Sequence, residues 1–95
     1  MINIRIDPGG LTVTGHAGKD PPEHSLICCA VSTLVQSLAF ALETFVGDTV
    51  TSRLEPGDSC IRWGELGSDG KAIVDAFWLG LSTLAAQYPE NITVN

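Results

Sequence analysis

Two short stretches of this chain carry residue types that can do covalent chemistry. Gly15-His16-Ala17 puts an imidazole at the end of a predicted strand, and Cys28-Cys29-Ala30-Val31-Ser32 puts two thiols at the predicted start of an apolar helix. Eleven residues separate His16 from Cys28, enough for the two to meet across a cleft. A cysteine attacks a carbonyl as its thiolate, and positive potential nearby makes the thiolate easier to form. An imidazole and the free N–H groups of a helix N-terminus both supply such potential. The pattern is that of a Cys–His nucleophile pair.

Each of these residues also has a packing alternative, because cysteine is often buried and buried cysteines are mostly inert. Helical phase leaves the choice of thiol open. At about 100° per residue, Ser32, Thr33, Gln36, Ser37, Glu43 and Thr44 form one polar arc, with Cys29 inside it and Cys28 at its edge. Ser32 lies one turn after Cys28, where its hydroxyl either serves the site or satisfies a carbonyl of its own helix. His16, His24, Cys28 and Cys29 also offer zinc-type ligands. Vicinal cysteines rarely ligate one ion together, however, and no Cys-x-x-Cys spacing is present, so no metal or other cofactor is expected. Cys60, between Ser59 and Ile61, reads as a packing residue, and Trp63, Phe77 and Trp78 as core or dimer contacts. No paired carboxylates and no glycine-rich phosphate loop after a strand are found.

The elements that must position these groups follow from periodicity. Ile2, Ile4 and Ile6 alternate with Asn3 and Arg5, the period of a half-buried strand. Asp7-Pro8-Gly9-Gly10 turns the chain into a second strand, Leu11 to Thr14. His16 shares the parity of Thr12 and Thr14, which predicts that it projects from the polar face. Ala17 to Ser25, with Gly18, Pro21 and Pro22, reads as a loop. Ser25 is the predicted N-cap of a helix from Leu26 to Val46, ended by Gly47. Val50, Arg53 and Leu54 belong to a third strand, and Pro56-Gly57-Asp58 turns it into a fourth, Ser59 to Trp63. Ser68 or Asp69 caps a second helix that runs to Gln87 or Tyr88 before Pro89. Ile92-Thr93-Val94 is available for a short final strand. The expected fold is α+β, a two-layer ββαββα arrangement in which two helices cover a mainly antiparallel four-stranded sheet.

The chain has 95 residues, enough for one domain with its own core. Five basic against eleven acidic side chains give a formal net charge of -6. That balance argues against nonspecific nucleic-acid binding and against an anionic membrane surface, and suits a basic partner. No basic leader precedes a hydrophobic stretch. The apolar segment Leu26 to Val46 is interrupted by polar residues, which favours a buried amphipathic helix over a membrane span. Three cysteines, two of them adjacent, make no disulfide framework, so a reducing, cytoplasmic setting is expected.

Gly15-His16-Ala17 together with Leu26-Ile27-Cys28-Cys29-Ala30-Val31-Ser32 resembles the ribosomal-processing cysteine protease (Prp, YsxB-like) family. The element order and the ending Gln87-Tyr88-Pro89-Glu90-Asn91-Ile92 extend the resemblance over nearly the whole chain, as a single domain spanning 1–95. The resemblance implies that His16 is the catalytic histidine and Cys28 the nucleophile, with Gly15 and Ser32 at positions the family also uses. Cys29 falls where the family usually has a small residue such as alanine. Ser25 is a departure, standing where the family commonly has aspartate. Serine can replace it as a helix cap, whereas a role in orienting the histidine or contacting substrate would be vacant here, with Asp20 and Glu23 the loop carboxylates nearest to substitute. The implied substrate is the N-terminal extension of large-subunit ribosomal protein twenty-seven, cleaved after an apolar, aromatic-rich segment and before a basic stretch. A homodimer is implied as well. Backbone N–H groups near Cys28 and Cys29 are the expected oxyanion donors. A non-catalytic ribosome-associated module of the same fold is the alternative, encouraged by Ser25.

Overall fold

Alternating side chains build the sheet first. The computed structural model describes residues 1–16, 23–47 and 49–95, with the side chains of Glu23, His24 and Ser25 outside that description. Strand β1 (Ile2–Asp7) pairs antiparallel with β2 (Gly10–Thr14), placing Ile4 opposite Val13. Ile2, Ile4, Leu11 and Val13 are buried on the face that the helices cover. β2 pairs antiparallel with β4 (Asp58–Arg62), and β4 with β3 (Thr51–Glu55), so Ile61 joins the same buried face.

The helices then close the apolar face. In α1 (Glu23–Phe45), Ile27, Val31, Val35, Leu38 and Leu42 recur at helical spacing and are buried. Gly47, at φ 93°, ends the helix as expected, its N–H and that of Val46 both donating to the Leu42 carbonyl. By length and composition Leu26–Phe45 could cross a membrane, yet in this fold its stripe lies in the core. α2 (Ser68–Gln87) buries Val74, Leu81 and Ala85 and packs against α1. Its N-cap is Gly67 rather than Ser68 or Asp69, and Asp69 instead places its charge in the first turn, where the helix dipole favours it.

The fold is α+β with helices on one face, as expected, but the sheet has five strands rather than four, in the order β3-β4-β2-β1-β5. The added strand is Ile92–Val94, β5, which runs parallel to β1. α2 is the crossover that returns the chain to β1's open edge, a connection that a parallel pair requires. Backbone bonds from the Ile2 N–H to the Asn91 carbonyl at 2.8 Å and from the Asn95 N–H to the Ile4 carbonyl at 2.9 Å secure it. The opposite face of the sheet carries Asn3, Arg5, Thr12, Arg53, Cys60 and Arg62. Cys60 is half-buried there, opposite Thr12, and so lies outside the main core.

Candidate active site

One face of α1 and one β-turn enclose a cleft of about 220 Å³. Cys28, Val31, Ser32, Val35 and Gln36 line it from the helix, at positions three or four apart that share one face. Leu54 to Ser59, the β3–β4 turn and its flanks, form the facing wall. Gly15 and His16, just past the end of β2, close the cleft beside Ile2 and Val13. His16 and Cys28 therefore both line one cavity. Cys28 is half-buried there. Cys29 is exposed and does not line the cleft, because one helical step turns it about 100° away.

Backbone contacts hold the histidine segment. Gly15 adopts φ 90°, and its N–H donates to the Gly57 carbonyl at 3.0 Å. A Cβ at Gly15 would collide with the Met1 carbonyl, so glycine is required there twice over. The Met1 amino nitrogen donates to the His16 carbonyl at 2.5 Å. On the facing wall, Arg53 donates to Asp58 Oδ2 at 2.5 Å and to Oδ1 at 3.1 Å. This hydrogen bonding holds the Asp58 carboxyl below the usual carboxylate range, with partial burial opposing it. Glu55 stands beside the same guanidinium at 3.5 Å.

Ser32 is exposed at the cleft, and its hydroxyl makes no hydrogen bond among the described residues. Thr44 and Thr83 instead bond back to the Phe40 and Leu79 carbonyls of their own helices. Among the described residues the Ser32 hydroxyl thus makes no such bond to its own helix. Among the described residues no three His, Cys, Asp or Glu side chains gather as a metal site. The His24 side chain lies outside the described residues, as do Asp20 and the side chain of Glu23.

Three local expectations are corrected. The predicted cap, Ser25, lies inside the first turn, because the helix reaches back to Glu23. Nothing between Pro22 and Leu26 breaks a helix, and glutamate suits a first turn. Cys28 and Cys29 are therefore in the second turn, where their N–H groups point to the carbonyls of His24 and Ser25. Those amides belong to the helical ladder and are not free oxyanion donors; the unpaired N–H groups lie at the helix opening. His16, in turn, does not follow the parity of Thr12 and Thr14. β2 ends at Thr14, and the left-handed Gly15 breaks the alternation, bringing His16 into the cleft with Val13.

The β3–β4 wall of the cleft is not evident from residue types or spacing. Pro56-Gly57-Asp58 was legible as a turn, and only its pairing with the end of β2 makes it part of the site.

Known structures share this architecture. The ribosomal processing protease Prp from S. aureus, solved with a covalently linked product peptide, superposes with a TM-score of 0.81 at 19% identity, over 99% of this chain and 95% of that one. The same protease with a substrate peptide gives 0.80 at 19% identity, over 99% and 95% of the two chains. SMU.848 from Streptococcus mutans gives 0.80 at 27% identity, over 99% of this chain and 90% of that one. No curated protein sequence matches the chain. The sequence profile of the cysteine protease Prp matches residues 1–93, and the chain thus belongs to the Prp family of cysteine proteases.

Proposed function

We propose that Cys28 is the nucleophile and His16 the base of an endopeptidase that trims a short N-terminal extension from large-subunit ribosomal protein twenty-seven. The observation that carries this reading is the convergence of His16 and Cys28 in one cleft while Cys29 and Cys60 stay outside it. His16 takes the proton from the Cys28 thiol, and Sγ attacks the scissile carbonyl carbon as the C=O electron pair moves onto oxygen. The tetrahedral intermediate collapses, the C–N bond breaks, and His16 returns the proton to the leaving amine. Water, deprotonated by His16, then hydrolyses the thioester and regenerates the thiol. The mechanism needs no cofactor, and the Ser32 hydroxyl is a donor for substrate at the cleft.

A basic substrate is supported by the net charge of -6 and by Glu55 and Asp58 on the cleft wall. The processing role is supported by the S. aureus relative, a ribosomal processing protease solved with peptides. The large exposed side chains Leu26, Phe40, Phe45 and Leu79 support a homodimer, since apolar surface of this kind favours association. Three free cysteines support a cytoplasmic setting.

The test is cleavage of a peptide spanning the extension by wild type, Cys28→Ala and Cys29→Ala. Cleavage is expected from wild type and Cys29→Ala and lost in Cys28→Ala. Peptide binding without cleavage by wild type would overturn the reading and leave a binding module of the same fold.

A further inference from the structure

We infer that Gly57 is a positioning residue whose bare Cα seats the His16 imidazole. The inference rests on His16 being the base. Gly57 has φ 72°, in the left-handed region, and a Cβ there would lie 2.6 Å from His16 Nε2 and 2.7 Å from Cε1. The ring therefore occupies the space that any other side chain would need. The same residue anchors the backbone just before the histidine, through the Gly15 N–H on its carbonyl at 3.0 Å. One turn residue thus holds the segment by its carbonyl and the ring by its missing side chain.

The turn is the firmer partner in this contact. Glu55 and Asp58 pair across β3 and β4, and Arg53 bridges to the Asp58 carboxylate. The imidazole is the far end of an exposed side chain, free to swing about its own torsions. A Cβ at position 57 is accordingly relieved by moving the ring, which carries the base away from Cys28 while the fold persists.

Gly47 supplies an internal control. It has φ 93°, and a Cβ there would meet nothing within 4 Å among the described residues. Gly47→Ala and Gly57→Ala impose the same kind of backbone strain, and only the second displaces His16. Asparagine tolerates left-handed backbone better than alanine does, yet it still carries a Cβ. Gly57→Asn therefore separates strain from displacement, and serves if Gly57→Ala folds poorly.

The experiment compares both alanine variants, Gly57→Asn and His16→Ala in four readouts. These are thermal unfolding, kcat and KM on the extension peptide, the NMR titration of the His16 ring, and the pH dependence of Cys28 alkylation. Gly57→Ala and Gly57→Asn are expected to lose about 100-fold in kcat with KM within about twofold, the scale set by small misplacements of a reacting group. Both should shift the ring titration and bring the alkylation profile toward that of His16→Ala. Gly47→Ala should lose stability and keep the wild-type kcat and profile. Wild-type kcat and ring titration in folded Gly57→Asn would overturn the inference. Should His16→Ala itself cleave normally, the assignment of the base fails instead. An inactive His16→Ala beside an active Gly57→Asn would sink the positioning role alone.

Discussion

At the end of the sheet opposite Cys28, the β1–β2 turn and the β4–α2 connection enclose a second hollow against α2. Its volume is about 320 Å³, against about 220 Å³ for the cleft. Both are built from a β-turn facing one side of a helix. In the hollow, the Trp63 indole N–H donates to the Pro8 carbonyl at 2.9 Å. Asp7 accepts from the Gly9 N–H at 2.8 Å and from Arg62. Those polar groups fasten a turn. In the cleft, the side chains of His16, Cys28 and Ser32 have no such partner among the described residues. A thiol and an imidazole lining one cavity, rather than empty volume, separate the cleft from the hollow, whose further lining of Glu65, Lys71 and Asp75 includes neither group.

The largest effect should come from exchanging the key polar side chain at each end. His16→Ala is expected to lower kcat by roughly 10²–10⁴-fold, the usual contribution of a positioned base. Trp63→Phe should leave kcat and KM on the same peptide within about twofold. Peptide-cleavage kinetics on both variants check this, and a large kcat loss in Trp63→Phe would break the distinction between the two ends.

Next comes the core that both ends share. Leu38 is fully buried between the helices and the sheet. Leu38→Ala is expected to cost about 2–5 kcal/mol in denaturant unfolding, because the cavity adds to the lost burial. As the site and the hollow hang on one core, activity and tryptophan fluorescence should be lost together along that denaturation curve.

How much of this was legible in the sequence depends on the range of the interaction. Alternation gave β1 and β2, and helical spacing gave the stripe from Ile27 to Leu42, because each is read from neighbouring residues. That His16 and Cys28 could face one cleft was suggested by residue type and loop length, and both line the same cavity. Periodicity alone left Cys28 and Cys29 tied, since exposure and cleft-lining differ by a single helical step. The start of α1 was misplaced because Ser25 looks like a cap and Glu23 like a loop residue, and both are compatible with a first helical turn. β5 was visible only as a possible strand, for its parallel pairing depends on where α2 delivers the chain. Gly57 was invisible as a site residue. Its meaning comes from a histidine forty-one positions earlier in the chain, brought beside it by the β2–β4 ladder.

A smaller effect isolates the structural role of the hollow. Trp63 is 7% exposed, and its indole N–H donates to the Pro8 carbonyl. Trp63→Phe removes the donor and leaves that carbonyl to water, for an expected loss of about 1 kcal/mol, the usual net worth of one hydrogen bond. Thermal or urea unfolding measures it. A change several times larger would mean that the indole's bulk, rather than its bond, holds the β1–β2 turn.

The smallest effect concerns the two exposed aspartate–arginine pairs, one at each end. Asp7 is held below the usual carboxylate range mainly by the Gly9 N–H and by Arg62, and Asp58 mainly by Arg53. A carboxyl whose native pKa is lowered stabilises the fold above its unfolded value, and that contribution fades as pH falls through the lowered one. Asp7→Asn and Asp58→Asn should therefore each flatten the acid side of the stability–pH curve slightly, leaving it unchanged under conditions where both carboxyls would be protonated. Both pairs are exposed, so solvent keeps the change small. Only Asp58 lines the cleft. Asp58→Asn should consequently raise KM for a peptide with basic residues after the scissile bond and spare a neutral analogue, whereas Asp7→Asn should alter neither. Equal KM shifts from the two variants would mean that the cleft senses the net charge of the whole protein rather than its own wall.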